Sequence, residues 1–262
     1  MNQTKDFKYV YGPVHSWRLG MSLGIDPIST EKKVCNFDCI YCQLGNTGIL
    51  SNERKVFVAT DAIIREIEMF PSKEIDYYTF SGRGEPTLAK NLGEMIASVK
   101  KVPDRKVAVI TNSALICDAS VRGELALADF VIAKLDACDK GSLIGISRPA
   151  DGVDFDSVVE GLKELRKIFK GKLALQVMFI DKNKSLASEI AELAKQIDPD
   201  EVQINTPLRP SGEKPLDETD IEGLKSQFIG LNIVSVYDAE KVEFSPICEK
   251  NTVLRHGKYK DA

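Results

Sequence analysis

The chain lacks the features that would place it on a membrane or on nucleic acid. No apolar run reaches the roughly 18 residues needed to cross a bilayer. The opening stretch, MNQTKDFKYVYGPVHSW, has no apolar core of signal-peptide type. A cytoplasmic protein with no membrane partner is therefore expected. Positive charge is not in surplus: 35 Lys and Arg against 39 Asp and Glu give a net charge of −4. The broad cationic footprint of a nucleic-acid binder is missing, and the basic HGKYK near the end is too small to replace it. Nucleic acid stays a possible partner, not the favoured one. Histidine is scarce: His15 and His256 are the two present, and they form no ligand-spaced pair. There is no repeat, low-complexity tract or Gly/Ser linker.

What is present is alternation. Of the 262 residues 43% are hydrophobic, enough for one sizeable core. Apolar, β-rich runs occur at 76–82, 106–112, 129–137, 173–181, 201–207 and 231–238, and a further strand is expected at 18–26. Between them lie helical periodicities. Ile63, Ile64, Ile67 and Phe70 share one face, as do Leu92, Met95, Ile96 and Val99. Val158, Leu162, Leu165 and Phe169 form a third such face, and Leu186, Ile190, Leu193 and Ile197 a fourth. Strands alternating with helices predict βαβ units around a parallel sheet. The strand count falls short of a closed eight-stranded barrel, so a partial (β/α)6 TIM-like barrel is predicted over 1–240, with a short C-terminal extension over 241–262.

The polar interruptions gather at the expected C-terminal strand ends, where parallel α/β folds bind ligands. The densest is KVCNFDCIYCQLG, residues 33–45, with Cys35, Cys39 and Cys42 spaced C-x3-C-x2-C. A reducing cytosol argues against disulfides and for metal or redox chemistry. Structural zinc wants four ligands, commonly as two separated pairs. Here Cys117, Cys138 and Cys248 stand alone. An iron–sulfur cluster held by three cysteines would keep one iron open for a ligand. A distant fourth ligand and a zinc site stay open at this point, as does a non-catalytic electron carrier. Cys117 and Cys138 are read as buried packing residues, and Cys248 as ordinary.

With Tyr41 just before the last cysteine and SGRGEP one strand later, the sequence resembles the radical S-adenosylmethionine superfamily from about Arg18 to Arg209. The resemblance implies that Cys35, Cys39 and Cys42 hold a [4Fe-4S] cluster whose open iron takes the amino and carboxylate groups of S-adenosyl-L-methionine. It implies reductive cleavage to methionine and a 5′-deoxyadenosyl radical, which removes hydrogen from a substrate. It also implies an external one-electron donor of flavodoxin or ferredoxin type. GPVHSWRLG, CNFDCIYCQLG, TFSGRGEPTL and ISRP together look like the subgroup related to wybutosine-synthesis proteins.

FSGRGEPTL looks like the family's Gly-Gly-Glu-Pro segment, with Gly82, Gly84 and Glu85 at the methionine amino group. It departs from the pattern at Arg83, which stands where the first glycine of the pair is usual. The resemblance implies ribose and methionine contacts from Asn112, Ser113, Lys134, Asp136 and Gln176, with Tyr41, the aromatic before the last cysteine, also on the cofactor. On residue chemistry alone Asn112 could equally cap a turn, and Asp136 could start a helix. Arg83, Lys134 and Arg148, with Arg18 and Arg209, lie near predicted strand ends, and guanidinium suits carboxylate or phosphate. A small anionic substrate is the expectation. A wybutosine-type tRNA-modifying enzyme and a glycyl-radical activase are the alternatives.

Overall fold

The computed structural model describes residues 7–70, 74–238 and 246–257. The expected boundary between 240 and 241, and residues 258–260 of the basic HGKYK stretch, lie outside the described residues.

The main sheet begins with a hairpin. Strand β1 (Val10–Ser16) pairs antiparallel with β2 (Gly20–Ile25). Two short strands follow, β3 (Val34–Cys35) and β4 (Ile49–Leu50), which pair with each other apart from the main sheet. Then come β5 (Tyr77–Phe80), β6 (Val107–Thr111), β7 (Phe130–Lys134), β8 (Lys172–Met178), β9 (Glu201–Asn205) and β10 (Ile233–Ser235). The order is β1-β2-β5-β6-β7-β8-β9-β10, and every pairing from β2 onward is parallel. Eight strands form this mostly parallel, curled sheet, a half-barrel. Six parallel strands precede β10, as the sequence predicts.

Helices cover the outside: α1 (Thr60–Met69), α2 (Leu92–Val99), α3 (Ala119–Leu125), α4 (Lys140–Ser147), α5 (Phe155–Ile168), α6 (Ala187–Ile197), α7 (Glu218–Lys225) and α8 (Glu249–His256). The four predicted amphipathic helices are α1, α2, α5 and α6. Successive side chains on a strand point to opposite faces, and the core divides accordingly. Val107, Val109, Val131, Leu173, Leu175, Val202 and Ile204 join Ile63, Met95, Leu162 and Ile190 of the helices in one large cluster. Ala108, Phe130, Ile132 and Ala174 face inward and form a second cluster with Leu19 of the β1–β2 hairpin. Burying each Leu, Ile or Val is worth roughly 1.5–3 kcal/mol. The strands are therefore held from both sides, and their polar ends project beyond the packed layers.

β1 and α8 were not expected, and they wrap the flank next to β2. Tyr11 of β1 crosses the inner face at Gly24: a Cβ on Gly24 would meet the Tyr11 ring at 2.1 Å. The Tyr11 hydroxyl then reaches Ser81 Oγ at 2.6 Å. α8 is fixed against the β2 end by a buried ion pair, Arg255 Nε to Asp26 Oδ2 at 3.0 Å. Asp26 Oδ1 accepts from the backbone N–H groups of Ile28 and Ser29. Among the described residues no helix is long and apolar enough to cross a membrane.

Candidate metal and cofactor site

Cys35 ends β3, and the loop beyond it is pinned by distant backbone. Asp38 N–H donates to Ser147 O at 2.9 Å and Ile40 N–H to Ile146 O at 3.0 Å, both at the end of α4. Ala150 N–H donates to Asn36 O at 2.8 Å. Cys42 N–H returns to Cys39 O, closing a turn between the last two cysteines. All six cysteines are free. Burial pushes the Cys35 and Cys39 thiols up to about 12; Glu85 adds to this at Cys35, and Asp136 at Cys39. Cys35 feels Cys39, and Cys39 feels Cys42, so the three share one pocket. Three donors reach their sulfurs: Lys33 Nζ to Cys42 Sγ at 3.0 Å, and Phe37 N–H and Asn112 Nδ2 to Cys35 Sγ, each at 3.5 Å. Burial pulls the Lys33 pKa down, but charge on Cys42, Cys35 and Cys39 outweighs it and the pKa is raised.

Among the described residues no group of three or more His, Cys, Asp or Glu side chains converges closely enough to hold one metal ion. A single zinc draws its thiolates to one point, whereas a multi-iron cluster keeps them apart around its edges. Three unpaired thiols sharing a pocket without converging, with N–H donors on Cys35 and Cys42, fit the cluster. N–H donors at 3.5 Å from Cys35 Sγ suit a metal-bound thiolate.

SGRGEP runs directly against this loop. Val34 bridges Gly84, and Glu85 N–H donates to Val34 O. A Cβ on Gly84 would lie 1.8 Å from that carbonyl oxygen, so only glycine admits the approach. Gly82 adopts φ +135° close against Asp26. Glu85, 2% exposed, accepts from Thr87 N–H and Oγ1, Thr111 Oγ1 and Asn112 N–H at 2.6–3.1 Å. Burial raises its pKa, and these bonds, Asn112 foremost, pull it back. The carboxylate thus clamps the β5 end to the β6 end, and Oε2, with one donor, has capacity left for an ammonium.

The β7 end supplies the other wall. The Tyr41 hydroxyl donates to Asp136 Oδ2, and Lys134 Nζ sits 3.3 Å from the same oxygen and 5.0 Å from the Tyr41 ring centroid. Met178 N–H donates to Asp136 Oδ1 at 2.7 Å. Burial, with Asp136 beside it, holds the Tyr41 phenol well above its ordinary range, so it remains a donor. Tyr41 therefore ties the cysteine loop to β7. Ser113, at φ +70°, donates through Oγ to Lys134 O. Gln176 lies deeper, donating to Gln203 of β9.

Cys35, Cys39, Cys42, Tyr41, Gly84, Glu85, Asn112, Lys134 and Asp136 are thus brought together. Five predicted residues are not in this set: Gly82 turns against Asp26, Ser113 bonds the Lys134 backbone and Gln176 lies deeper, and Arg83 and Arg148 point elsewhere. Arg83 Nη1 donates to Thr30 O and lines a groove with Phe7, Lys8 and Arg255. Arg148 is exposed at the left-handed end of α4, and it is its carbonyl that touches the loop, accepting from Asp38 N–H. Cys117 corrects an expectation: it is exposed, because Ile116 takes the buried place in that turn. Cys138, expected to be buried, is half-buried and packs against the edge of the core. Cys248 starts α8, at the end opposite Gly257. Gly257 packs against Gln43 of the cysteine loop. At 1.5 Å per residue the eight-residue helix separates its two ends by ~12 Å.

Residue types and spacing gave no warning of one junction. Arg209 Nη1 donates to Gln43 Oε1 at 3.1 Å and to His256 O at 2.6 Å, and Nη2 donates to His256 Nε2 at 2.8 Å. Arginine only donates, so His256 accepts as neutral imidazole. Burial, then Arg209 and Arg18, hold its pKa well below the ordinary value. The unfolded chain therefore binds a proton that the folded chain refuses. This contribution to stability is complete above about pH 6.5 and is lost as pH falls toward the depressed folded value. The melting temperature is expected to drop as pH falls from about 7.5 to 5, with a shallower drop in His256→Gln. Thermal denaturation across that range checks it.

A half-barrel whose β2-side loop carries three cysteines, with a glycine–glutamate turn beside it, defines the radical S-adenosylmethionine class. Residues 33–197 match the radical SAM superfamily, and the chain belongs to it. It is 44% identical over 224 residues to a UPF0026 protein of Synechocystis sp., covering 85% of this chain and 82% of that one. Among solved structures, Streptococcus suis SuiB bound to precursor peptide SuiA superposes with TM-score 0.63 at 15% identity, over 85% of this chain and 52% of that one. Archaeal TYW1 superposes with TM-score 0.56 at 16% identity, over 80% and 72%. The protein is a radical SAM enzyme, and its cofactors are a [4Fe-4S] cluster and S-adenosyl-L-methionine.

Proposed function

We propose that this enzyme abstracts hydrogen from a small anionic molecule bound inside the half-barrel, using an electron from an external donor of flavodoxin or ferredoxin type. When bound, the cluster and S-adenosyl-L-methionine supply a 5′-deoxyadenosyl radical. The chain's own residues place and shield it. Cys35, Cys39 and Cys42 hold the cluster, Gly84 and Glu85 offer the amino-group contact, and Asn112, Ser113 and Asp136 offer polar contacts at the neighbouring strand ends. Tyr41 closes the loop over Asp136, and Lys134, leaning on the Tyr41 ring, offers a cation on that wall.

The observation that carries the anionic reading is Arg18. Its Nε is buried without a hydrogen-bond partner, and its guanidinium lies 5.2 Å from the Trp17 ring centroid. Burial lowers its pKa to about 10, with Arg209 adding to the effect. A guanidinium N–H buried without an acceptor, as at Arg18 Nε, calls for an anion. A substrate carboxylate or phosphate supplies it.

The test is an anaerobic screen of deuterated metabolites, with label sought in 5′-deoxyadenosine. An anionic compound is expected to transfer label. Arg18→Gln is expected to raise its KM by about 10–100-fold, the worth of a charge-assisted hydrogen bond, while slow substrate-free cofactor cleavage continues. Efficient label transfer from an uncharged compound, unchanged in Arg18→Gln, overturns the reading.

A further inference from the structure

Lys33 is 6% exposed, an unusual place for an ammonium group. It stands two residues before Cys35, where a pair of lysines reads as an ordinary solvated surface. Its backbone carbonyl accepts from Gly48 and Ile49 N–H at 3.1 and 3.0 Å, which fixes the far end of the cysteine loop. Its side chain crosses the loop and donates to Gly45 O at 2.9 Å and to Cys42 Sγ at 3.0 Å. Among the described residues no carboxylate forms an ion pair with it. A buried ammonium without a carboxylate needs another negative partner. Here the negative groups at hand are the thiolates of a bound cluster.

We propose that Lys33 is a positioning residue of the cluster: its ammonium seats the Cys42 thiolate and stabilises the reduced cluster relative to the oxidised one. The physical reason is charge. Three thiolates already make the oxidised site anionic, and one further electron deepens that charge. A fixed positive group hydrogen-bonded to a ligand sulfur favours the more negative state, as hydrogen bonds to cluster sulfurs generally do. The step moves one electron from the external donor to the cluster. No bond is made or broken, and the proton stays on Nζ. Cation and ligand are three ångströms apart in a part-buried pocket, where screening by solvent is reduced.

The test uses the full chain, reconstituted anaerobically with iron and sulfide. The reduction equilibrium is followed by the electron paramagnetic resonance signal of the reduced cluster in a potentiometric titration. Lys33→Met is expected to shift that equilibrium at least tenfold toward the oxidised form, which is 59 mV lower for one electron. Lys33→Arg, which keeps the charge, is expected to stay within about threefold of the parent, roughly half that interval. Lys33→Gln keeps a donor without the charge and is expected to shift in the same direction as Lys33→Met. If Lys33→Met folds by circular dichroism yet takes up no iron, the seating role is supported directly. If it fails to fold, Lys33→Gln decides. Either neutral variant with full iron content and an unshifted midpoint overturns the proposal. The inference rests on the cluster and not on the substrate. A parent protein without a four-iron signal would undo the cluster itself, whereas a parent signal with unshifted variants removes only the role of Lys33.

Discussion

Alanine at Cys35, Cys39 or Cys42 is expected to abolish both the iron–sulfur chromophore and the release of 5′-deoxyadenosine, down to the uncatalysed background. The same substitution at Cys117, Cys138 or Cys248 is expected to leave iron content unchanged. The contrast follows from placement. The first three share one pocket, lined by Lys33, Asn112 and the Phe37 N–H. Cys117 is exposed, and Cys138 contacts Ser142 and Asp139 of the α4 cap. Cys248 begins a helix whose other end approaches the cysteine loop. Iron and sulfide analysis after anaerobic reconstitution, with chromatography of the nucleoside product, checks all six. Loss of iron in Cys248→Ala would make that residue a ligand and change the coordination described above.

The second large effect is expected at Gly84. Its missing side chain leaves room for the Val34 carbonyl, which a Cβ would approach to 1.8 Å. That oxygen is backbone, held by Glu85 N–H, and cannot swing aside like the tip of a flexible side chain. Gly84→Ala must therefore part β3 from the turn after β5. Overpacking of this kind costs about 3 kcal/mol or more, or roughly 6–12 °C in melting temperature for a chain of this size. Cofactor cleavage is expected to fall with it, since the same shift displaces Cys35. Gly45→Ala is the control: nothing lies within 4 Å of its Cβ position, and φ +75° sets the strain, about 1–2 kcal/mol. Equal melting temperatures for the two variants would remove the steric argument.

The cysteines, the glycine–glutamate turn and the parallel strands were legible because local chemistry and spacing carry them. So were α1, α2, α5 and α6, whose apolar residues repeat at helical intervals. β1 was not legible, because Gly12 and Pro13 interrupt its alternation; the pairing is irregular between Tyr11 and Val14. α8 was hidden because its residues are mostly polar. It is held by Arg255 meeting Asp26, 229 positions away, which no local pattern signals. Glu85 was legible as a carboxylate at a strand end, but not as a clamp, because its partners Thr87, Thr111 and Asn112 come from two segments. Arg83 and Arg148 were grouped with Arg18 by proximity to strand ends alone. The structure aims the first at Thr30 and leaves the second exposed.

The loop between β3 and β4 is fastened by backbone atoms of α4, residues more than a hundred positions further along the chain. Its shape is inherited from the completed fold instead of being wrapped around an ion. Small zinc modules, which stay unfolded until metal arrives, stand at the opposite pole. Here the frame that presents the three cysteines is built by peptide groups from a distant part of the chain, so the loop's outline is written into the polypeptide itself.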